Sequence, residues 1–359
     1  MLLILILVLV TLGSVMVASA SYAYAESRYG DSGYFTRKQI FFVVLGILAM
    51  LVTSHLPTAR LRRLAYPAYG VTALLLLATL AFGLTGNGAQ RWISIGPLTF
   101  QPSELAKLSL VLALAAYFDS HKEAIARRRL LYGVWVPLAI TGLLCLLVML
   151  GRHLSGLIII ASIGISLMFL LGSSKKALGL LCGCGVLGVG TLAMTLEYAR
   201  ERITVWRDPA AYPLEGGWQT LQGLMAIGSG GFFGLGLGNS RLKYSWVSEP
   251  ANDFIFTITC EELGFIGASL ILLLFFLFVR RGYLIAVRSD DTFARAVALG
   301  ITTKVAIQVL LNVAVITNTI PNTGISLPFF SYGGSSLLML FVEMGILLSI
   351  SRTAKLPYR

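Results

Sequence analysis

Ionisable residues interrupt stretches of sequence that are otherwise apolar, namely Glu104, Lys107, Glu261, Glu262, Lys304 and Glu343. At the centre of a bilayer such a charge costs about 2.5 to 3.5 kcal/mol by insertion scales unless it is paired or hydrated. These residues are therefore the first candidates for a functional site. A purely structural ion pair is the alternative in each case.

Glu104 and Lys107 are three residues apart, so on a helix they share a face and can form an ion pair. Two interpretations stay open. The pair makes both charges tolerable inside an apolar helix, or Lys107 supplies a cation to an anionic substrate.

Asp253 directly precedes an apolar run that begins at Phe254, which predicts a position at the start of a helix. Its local sequence favours an N-cap role. A carboxylate at the positive end of a helix also stays ionised near neutral pH, as a proton acceptor must. The two roles are compatible.

Glu261 and Glu262 follow eight and nine residues later, or about 12 to 13 Å along a helix at 1.5 Å per residue. Adjacent helical residues point about 100° apart, so the two carboxylates are not expected to face one site. We predict a structural role for this pair, with Lys304 as a partner that neutralises at least one of them.

Two loop motifs could contribute backbone contacts. The glycine-rich stretch 228–238 can approach a phosphate closely, although a flexible or membrane-dipping turn is the simpler interpretation. The motif Ser331-Tyr332-Gly333-Gly334-Ser335 predicts a tight re-entrant turn. Helix capping is the favoured role for Ser335.

The elements that must position these residues are membrane spans. Hydrophobic residues make up 57% of the 359-residue chain and charged residues only 12%, which excludes an ordinary soluble domain. We predict an all-α polytopic membrane protein with about ten spans of roughly 20 residues. The first apolar segment lacks a basic n-region, so we predict a retained helix, not a cleaved signal. The predicted spans are 2–24, 40–55, 67–83, 104–118, 132–150, 154–171, 178–197, 254–279, 296–318 and 334–351.

The distribution of Lys and Arg predicts the orientation. With the N-terminus inside, the internal loops collect most basic residues, and the short external loops hold only Arg28, Arg37, Lys38, Arg91 and Arg152. This asymmetry places both termini in the cytoplasm. It explains much of the net charge of +12 without nucleic acid as a partner. One long external segment, 197–252, lies between the seventh and eighth predicted spans.

Several separated motifs resemble one family. They are Arg91-Trp92-Ile93, Phe100-Gln101-Pro102-Ser103-Glu104-Leu105-Ala106-Lys107, the glycine-rich stretch up to Gly238, Glu249-Pro250-Ala251-Asn252-Asp253-Phe254-Ile255-Phe256, Glu261-Glu262-Leu263-Gly264 and Leu327-Pro328-Phe329-Phe330-Ser331-Tyr332-Gly333-Gly334-Ser335-Ser336. In this order they resemble the signature of the SEDS (shape, elongation, division, sporulation) family. The general pattern, without extra cytoplasmic tails, resembles the elongation branch more than the division or sporulation branches.

The sequence departs from that family at two places. Ala251-Asn252 stands where His-Thr is common, so no role is assigned to those two positions. The family usually has Pro-Asp-Leu-Gly between the fifth and sixth spans, here 132–150 and 154–171. This chain has Arg152-His153-Leu154-Ser155-Gly156 there. The expected carboxylate is missing there, and we name no site residue in that stretch.

The resemblance implies one SEDS-type domain over residues 1–359 in the bacterial inner membrane. Its activity would be glycan polymerisation from lipid II during cell elongation, with inversion and release of undecaprenyl pyrophosphate. Asp253 would be the catalytic base. The residues assigned to substrate binding on this basis are Arg91, Trp92, Glu104, Lys107, Arg207, Glu249 and Ser331.

The resemblance also implies partners. A class B penicillin-binding protein would supply transpeptidase activity within the elongation machinery. A divalent cation such as Mg or Mn, held by Glu104, is a further hypothesis, although the sequence has no compact metal motif. Two rival functions stay open, a lipid II flippase and a noncatalytic membrane scaffold for cell-wall synthesis.

Overall fold

The computed structural model describes residues 1–86, 89–96, 98–127, 129–195, 197–212, 217–244 and 251–355. Within them the chain is nearly all helical, which confirms the predicted fold class. The helices are α1 (Leu2–Tyr29), α2 (Tyr34–Thr53), α3 (Thr58–Phe82), α4 (Pro102–Ser120), α5 (Lys122–Ala126), α6 (Val136–Leu150), α7 (Leu154–Leu170), α8 (Lys175–Thr195), α9 (Glu197–Arg207), α10 (Gly217–Ser229), α11 (Ile255–Val287), α12 (Thr292–Ile316) and α13 (Gly334–Thr353).

A helix is present at every predicted span. Most helices extend beyond the span at one end, and several stop one or two residues short of it at the other. In the described residues, seven helical stretches are long and apolar enough to cross a membrane by themselves: α1, α2, α3, the stretch Leu131–Leu150 that contains α6, α11, α12 and α13. Helix α7 is apolar but shorter. The chain is therefore a multi-pass membrane protein.

Helix α4 lies in the middle of the bundle. It packs against α3, α6, α7, α12 and α13. Nearly every residue from Pro102 to Phe118 is buried, including Glu104 and Lys107. The helix that carries the charged pair is therefore surrounded by protein.

A small antiparallel sheet connects α3 to α4, and the all-α prediction did not include it. Its strands are β1 (Leu84–Gly86), β2 (Ala89–Ile95) and β3 (Leu98–Phe100), in the order β1-β2-β3. Outside the hydrocarbon core the backbone N–H and C=O groups of a segment can find partners without forming a helix. In this connection they pair between neighbouring strands. The sheet positions Arg91 and Trp92.

Helix α11 is interrupted at Gly264, where φ is 67° and ψ is −173°. The glycine-rich turn after α10 fills the interruption. Its Leu235 and Gly236 amides donate to the carbonyls of Glu261 and Glu262, each at 3.0 Å. A Cβ on Gly264 would lie only 2.3 Å from the Gly234 nitrogen. The glycines therefore allow two backbones to pack closely, and these two amides are not available to a phosphate.

The N-termini of α4, α7, α11 and α13 meet the C-terminus of α12 at one end of the bundle. We call this the site end. The segment 317–333, here called the α12–α13 loop, crosses it and connects to several of the other elements. The charge distribution of the sequence predicts that the site end is external.

Candidate active site

Asp253 lies just before α11 and is half-buried. The N-cap position belongs to Phe254, and no side-chain capping hydrogen bond is present there, so the capping prediction for Asp253 is wrong. The carboxylate lies instead against Gly324 of the α12–α13 loop. A Cβ built on Gly324 would be 3.0 Å from Asp253 Oδ2 and 3.8 Å from Ser155 Oγ.

The α12–α13 loop holds the main chain before α11. Ser331 Oγ donates to the Asn252 carbonyl at 2.8 Å, and the Tyr332 amide donates to the Ala251 carbonyl at 2.8 Å. On the other side of the loop, Ser155 Oγ donates to the Thr323 carbonyl. Asp253 is thus carried on a segment that the α12–α13 loop holds, and α7 holds that loop in turn.

Glu104 and Lys107 form the predicted ion pair, with 2.7 Å between Lys107 Nζ and Glu104 Oε1. Both side chains are buried. Glu104 also lines a cavity together with Lys304, Gln308 and Ser331. Glu104 is therefore at the wall of a cavity below the α12–α13 loop, with Lys107 paired behind it.

Lys304 pairs with Glu343 of α13, and its Nζ lies 2.7 Å from each carboxylate oxygen. The predicted pairing of Lys304 with Glu261 or Glu262 is wrong, because α12 turns this side chain toward α13 and α4. Lys304 also interacts electrostatically with Glu104 and Lys107. Two positive and two negative buried groups therefore form one network across three helices.

His153 lies in the turn between α6 and α7, beside Arg91 and the Glu104–Lys107 pair. Burial, with the positive charges of Arg91 and Lys107, lowers the pKa of His153 to about 4, while Glu104 opposes this shift. The imidazole is therefore neutral at physiological pH. Arg91 is anchored nearby, because its Nη2 donates to the Arg152 carbonyl at 2.9 Å.

The remaining predicted substrate residues differ in placement. Trp92 is half-buried on β2 opposite Leu84. Arg207 is exposed at the end of α9, next to Trp206, whose Nε1 donates to the Asn318 carbonyl of the α12–α13 loop at 2.9 Å. Ser331 is buried in loop contacts. Glu249 lies outside the described residues.

Ser335 does not cap α13. Gly333 occupies the N-cap without a side-chain hydrogen bond, and the buried Ser335 hydroxyl has no hydrogen-bond partner among the described residues. The capping prediction for Ser335 is therefore wrong. Ser335 lies in the first turn, after the cap position.

Glu261 and Glu262 form a second buried cluster with the segment after α10. Glu262 accepts from Lys243 Nζ at 3.0 Å and from Ser19 of α1 at 2.7 Å. Glu261 accepts from Ser240 Oγ at 2.5 Å and from the Arg241 amide at 2.9 Å. Both carboxylates thus bind the same segment, which attaches it to α1 and α11. The expectation that the two would not face one site is wrong, because the segment wraps around both side chains. The predicted structural role agrees with these contacts.

The surroundings of Glu104 fit a cation poorly. One of its oxygens is paired with Lys107, and Lys304 adds a second positive charge nearby. Among the described residues, no group of three His, Cys, Asp or Glu could hold a metal ion. The electrostatic environment at this position suits an anionic ligand better than a divalent cation.

Sequence reasoning missed three residues of the site end. His153 and Ser155 lie in the stretch where the missing carboxylate discouraged any assignment. Asn312 lies inside an apolar helix, and a buried amide at such a place could have been noticed as a polar residue that requires partners.

These features define a multi-pass membrane protein with a charged cavity beneath its site-end loops. The family model of the cell cycle proteins FtsW, RodA and SpoVE matches residues 1–356. The chain is 37% identical over 357 residues to stage V sporulation protein E of Bacillus subtilis, covering 99% of this chain and 97% of that protein. It is 37% identical over 366 residues to the probable peptidoglycan glycosyltransferase FtsW of Trichlorobacter lovleyi, covering 99% and 93%.

Solved structures agree with these relatives. A chain of a peptidoglycan synthase complex, described for its coordination of polymerization and crosslinking, has a TM-score of 0.81 and 30% identity, with 98% of this chain and 96% of that chain covered. The rod shape determining protein RodA of Thermus thermophilus has a TM-score of 0.72 and 28% identity, with 99% and 97% covered. This chain belongs to the SEDS family of FtsW, RodA and SpoVE proteins.

Proposed function

We propose that this chain is a peptidoglycan glycosyltransferase that polymerises lipid II into glycan strands at the outer face of the bacterial inner membrane. The observation that carries the proposal is the half-buried carboxylate of Asp253 at the site end. Ser331 holds the residue before Asp253 and also lines the cavity that contains Glu104, the partner of Lys107. A base beside cationic groups is what glycosyl transfer from a diphosphate donor requires.

The reaction proceeds as one displacement. The acceptor sugar hydroxyl attacks the anomeric carbon of the donor, and the bond from that carbon to the diphosphate oxygen breaks. Asp253 takes the hydroxyl proton, and the electron pair leaves with the diphosphate, whose negative charge Lys107 and Arg91 stabilise. The anomeric carbon inverts, and no covalent enzyme intermediate forms.

Asp253→Asn tests this proposal with purified protein and lipid II in detergent. Loss of a general base lowers the rate by about 100-fold to 10,000-fold, so polymer should nearly disappear while the melting temperature and lipid II binding are retained. Asp31→Asn, at another site-end carboxylate, is the matched control. A flippase or a scaffold makes no polymer in detergent, so wild-type protein without polymer would favour those alternatives. Near-normal polymer from Asp253→Asn would exclude Asp253 as the base.

We also propose a class B penicillin-binding protein as partner. A solved relative belongs to a synthase complex that couples polymerization to crosslinking. Activation by the partner predicts a higher polymerisation rate when the cognate partner is added. An unchanged rate would contradict activation by the partner and would leave the glycosyltransferase proposal unaffected.

The elongation role is the finer part of the proposal. Its support is the likeness to RodA, while relatives at 37% identity include sporulation and division proteins. The branches can be distinguished by expressing this chain in cells depleted of their own SEDS protein for elongation, division or sporulation, and by testing which defect it rescues. Rescue of division alone would contradict the elongation role.

A divalent cation is proposed only as a companion of the substrate diphosphate, because Glu104 is already paired. Polymerisation with and without a chelator tests the requirement for the ion. If an ion is required and its apparent affinity falls in Glu104→Gln, then Glu104 is its ligand after all.

A further inference from the structure

Asn312 is a fully buried amide in α12. Its Nδ2 donates two hydrogen bonds, one to the Asp253 carbonyl at 2.9 Å and one to the Ile325 carbonyl at 2.7 Å. An amide group has two N–H donors, so both protons of Asn312 are used. The two acceptors belong to different segments of the site end.

Each acceptor adjoins the carboxylate of Asp253 in a different way. The first is the main-chain carbonyl of Asp253 itself. The second belongs to the residue after Gly324, and Gly324 is the backbone against which Asp253 Oδ2 lies. Gly324 has a φ of 67°, a conformation that glycine adopts without strain. Asn312 thus connects the residue that carries the carboxylate to the surface that faces it.

Helix α12 also reaches the charged network below. Gln308 lies about one turn and Lys304 about two turns before Asn312 on the same helix, and both line the cavity that contains Glu104. A buried polar side chain is retained at a cost unless all its bonds are made. The Oδ1 atom of Asn312 is buried and has no hydrogen-bond partner among the described residues, so Asn312 carries such a cost at a position between Asp253 and the cavity. A small displacement of the carboxylate there changes its distance to a substrate hydroxyl.

We propose that Asn312 is a positioning residue that fixes Asp253 relative to the α12–α13 loop and the charged cavity. This inference rests on the glycosyltransferase function proposed above. Asn312 does not touch the reacting atoms. It acts through the backbone of Asp253 and through Gly324.

Asn312→Leu tests the inference, because leucine has nearly the same volume and no donors. Polymerisation should be measured over a range of lipid II concentrations, and kcat should be expressed per lipid II binding site counted on the same preparation. We expect kcat per site to fall at least tenfold while KM stays within about threefold, because substrate contacts are intact and the base is displaced.

Asn318→Leu is the matched control. It also removes an amide that donates from the α12–α13 region to a main-chain carbonyl, here that of Trp206 at 3.2 Å. Asn318 has a φ of 55°, so leucine there adds backbone strain that should lower the melting temperature. The bond to Trp206 does not involve Asp253, so kcat per site should stay within about twofold of wild type. If Asn312→Leu does not fold, Asn312→Ser replaces it, since serine keeps one donor and should give an intermediate kcat per site.

Three outcomes would overturn the inference. A purely structural role reduces the number of binding sites and leaves kcat per site unchanged. An equal loss in Asn318→Leu would make the effect a general one of the loop. Wild-type protein that binds lipid II without polymerising it would reject the proposed function itself, and the positioning role with it.

Discussion

Lys107 is buried beside Glu104, and both belong to the four-charge network that includes Lys304 and Glu343. Removal of one member of a buried pair leaves an uncompensated charge, which costs about 3 to 5 kcal/mol. A single substitution would therefore lower the stability as well as the activity, so a loss of activity could not be assigned to catalysis. Removal of both charges together separates the two effects.

The double variant Glu104→Gln/Lys107→Gln should keep most of its melting temperature and lose polymerisation by at least tenfold. Two amides can still hydrogen bond to each other, but the Lys107 ammonium proposed to bind the diphosphate is lost, and Lys304 stays paired with Glu343. The control is Glu262→Gln/Lys243→Gln, which neutralises the pair in the second cluster. It should lower the melting temperature more than turnover per folded molecule. The reverse pattern would make Glu104 and Lys107 structural.

His153 predicts a pH dependence of stability. Its pKa is about 4 in the folded protein against an ordinary value of 6.5, so below pH 6.5 the unfolded chain binds the proton first. The melting temperature should therefore rise as pH increases from about 4 to 6.5, and His153→Gln should remove part of this rise. His55→Gln, at an exposed histidine, should keep the full rise. Identical profiles for wild type and His153→Gln would contradict the buried, neutral imidazole.

Spacing along one helix was enough to predict the Glu104–Lys107 pair. The partner of Lys304 was predicted incorrectly. Glu343 is on another helix, and the local sequence does not indicate which helices pack against each other. Asp253 was assigned to the site by its motif, whereas its contact with Gly324 depends on a loop about seventy residues later. Local chemistry is thus predictable, and the identity of distant partners is not.

The interruption of α11 has a measurable consequence for stability. Gly264→Ala puts a side chain into the left-handed region, at about 1 to 3 kcal/mol, and directs its Cβ against the Gly234 backbone. The melting temperature should fall clearly. Gly142→Ala is the control, since its added Cβ meets nothing within 4 Å. A Gly264→Ala variant as stable as this control would show that α11 tolerates a straight path there.

The sequence predicts helices better than their interruptions. The segment 254–279 is mostly apolar, its only charged residues are Glu261 and Glu262, and it has no proline, so it predicts one span. Only the packing of the glycine-rich turn explains the break. The sheet between α3 and α4 was missed for a related reason. Its strands are short and pair with one another, and such pairing is weakly encoded in single strands.

The orientation of the whole molecule is still a prediction from its charges. In a background without the four native cysteines, a cysteine at Lys122 should resist an impermeant reagent added from outside. A cysteine at Ser32, in the turn between α1 and α2, should react. Strong external labelling at Lys122 would invert the topology and move the site end to the cytoplasm.

The burial of α4 also constrains how the chain enters the membrane. Glu104 and Lys107 lie in the first two turns of α4, where a charge costs less than the value of about 2.5 to 3.5 kcal/mol that the translocon insertion scale gives at a helix centre. Helix α4 is not among the helices that apolarity alone identifies as spans in the described residues. During synthesis it therefore needs protein neighbours in place of lipid, and α3 precedes it directly and packs along it. The two helices should leave the translocon together as a hairpin closed by the small sheet, with lateral release of α4 delayed until α3 is beside it.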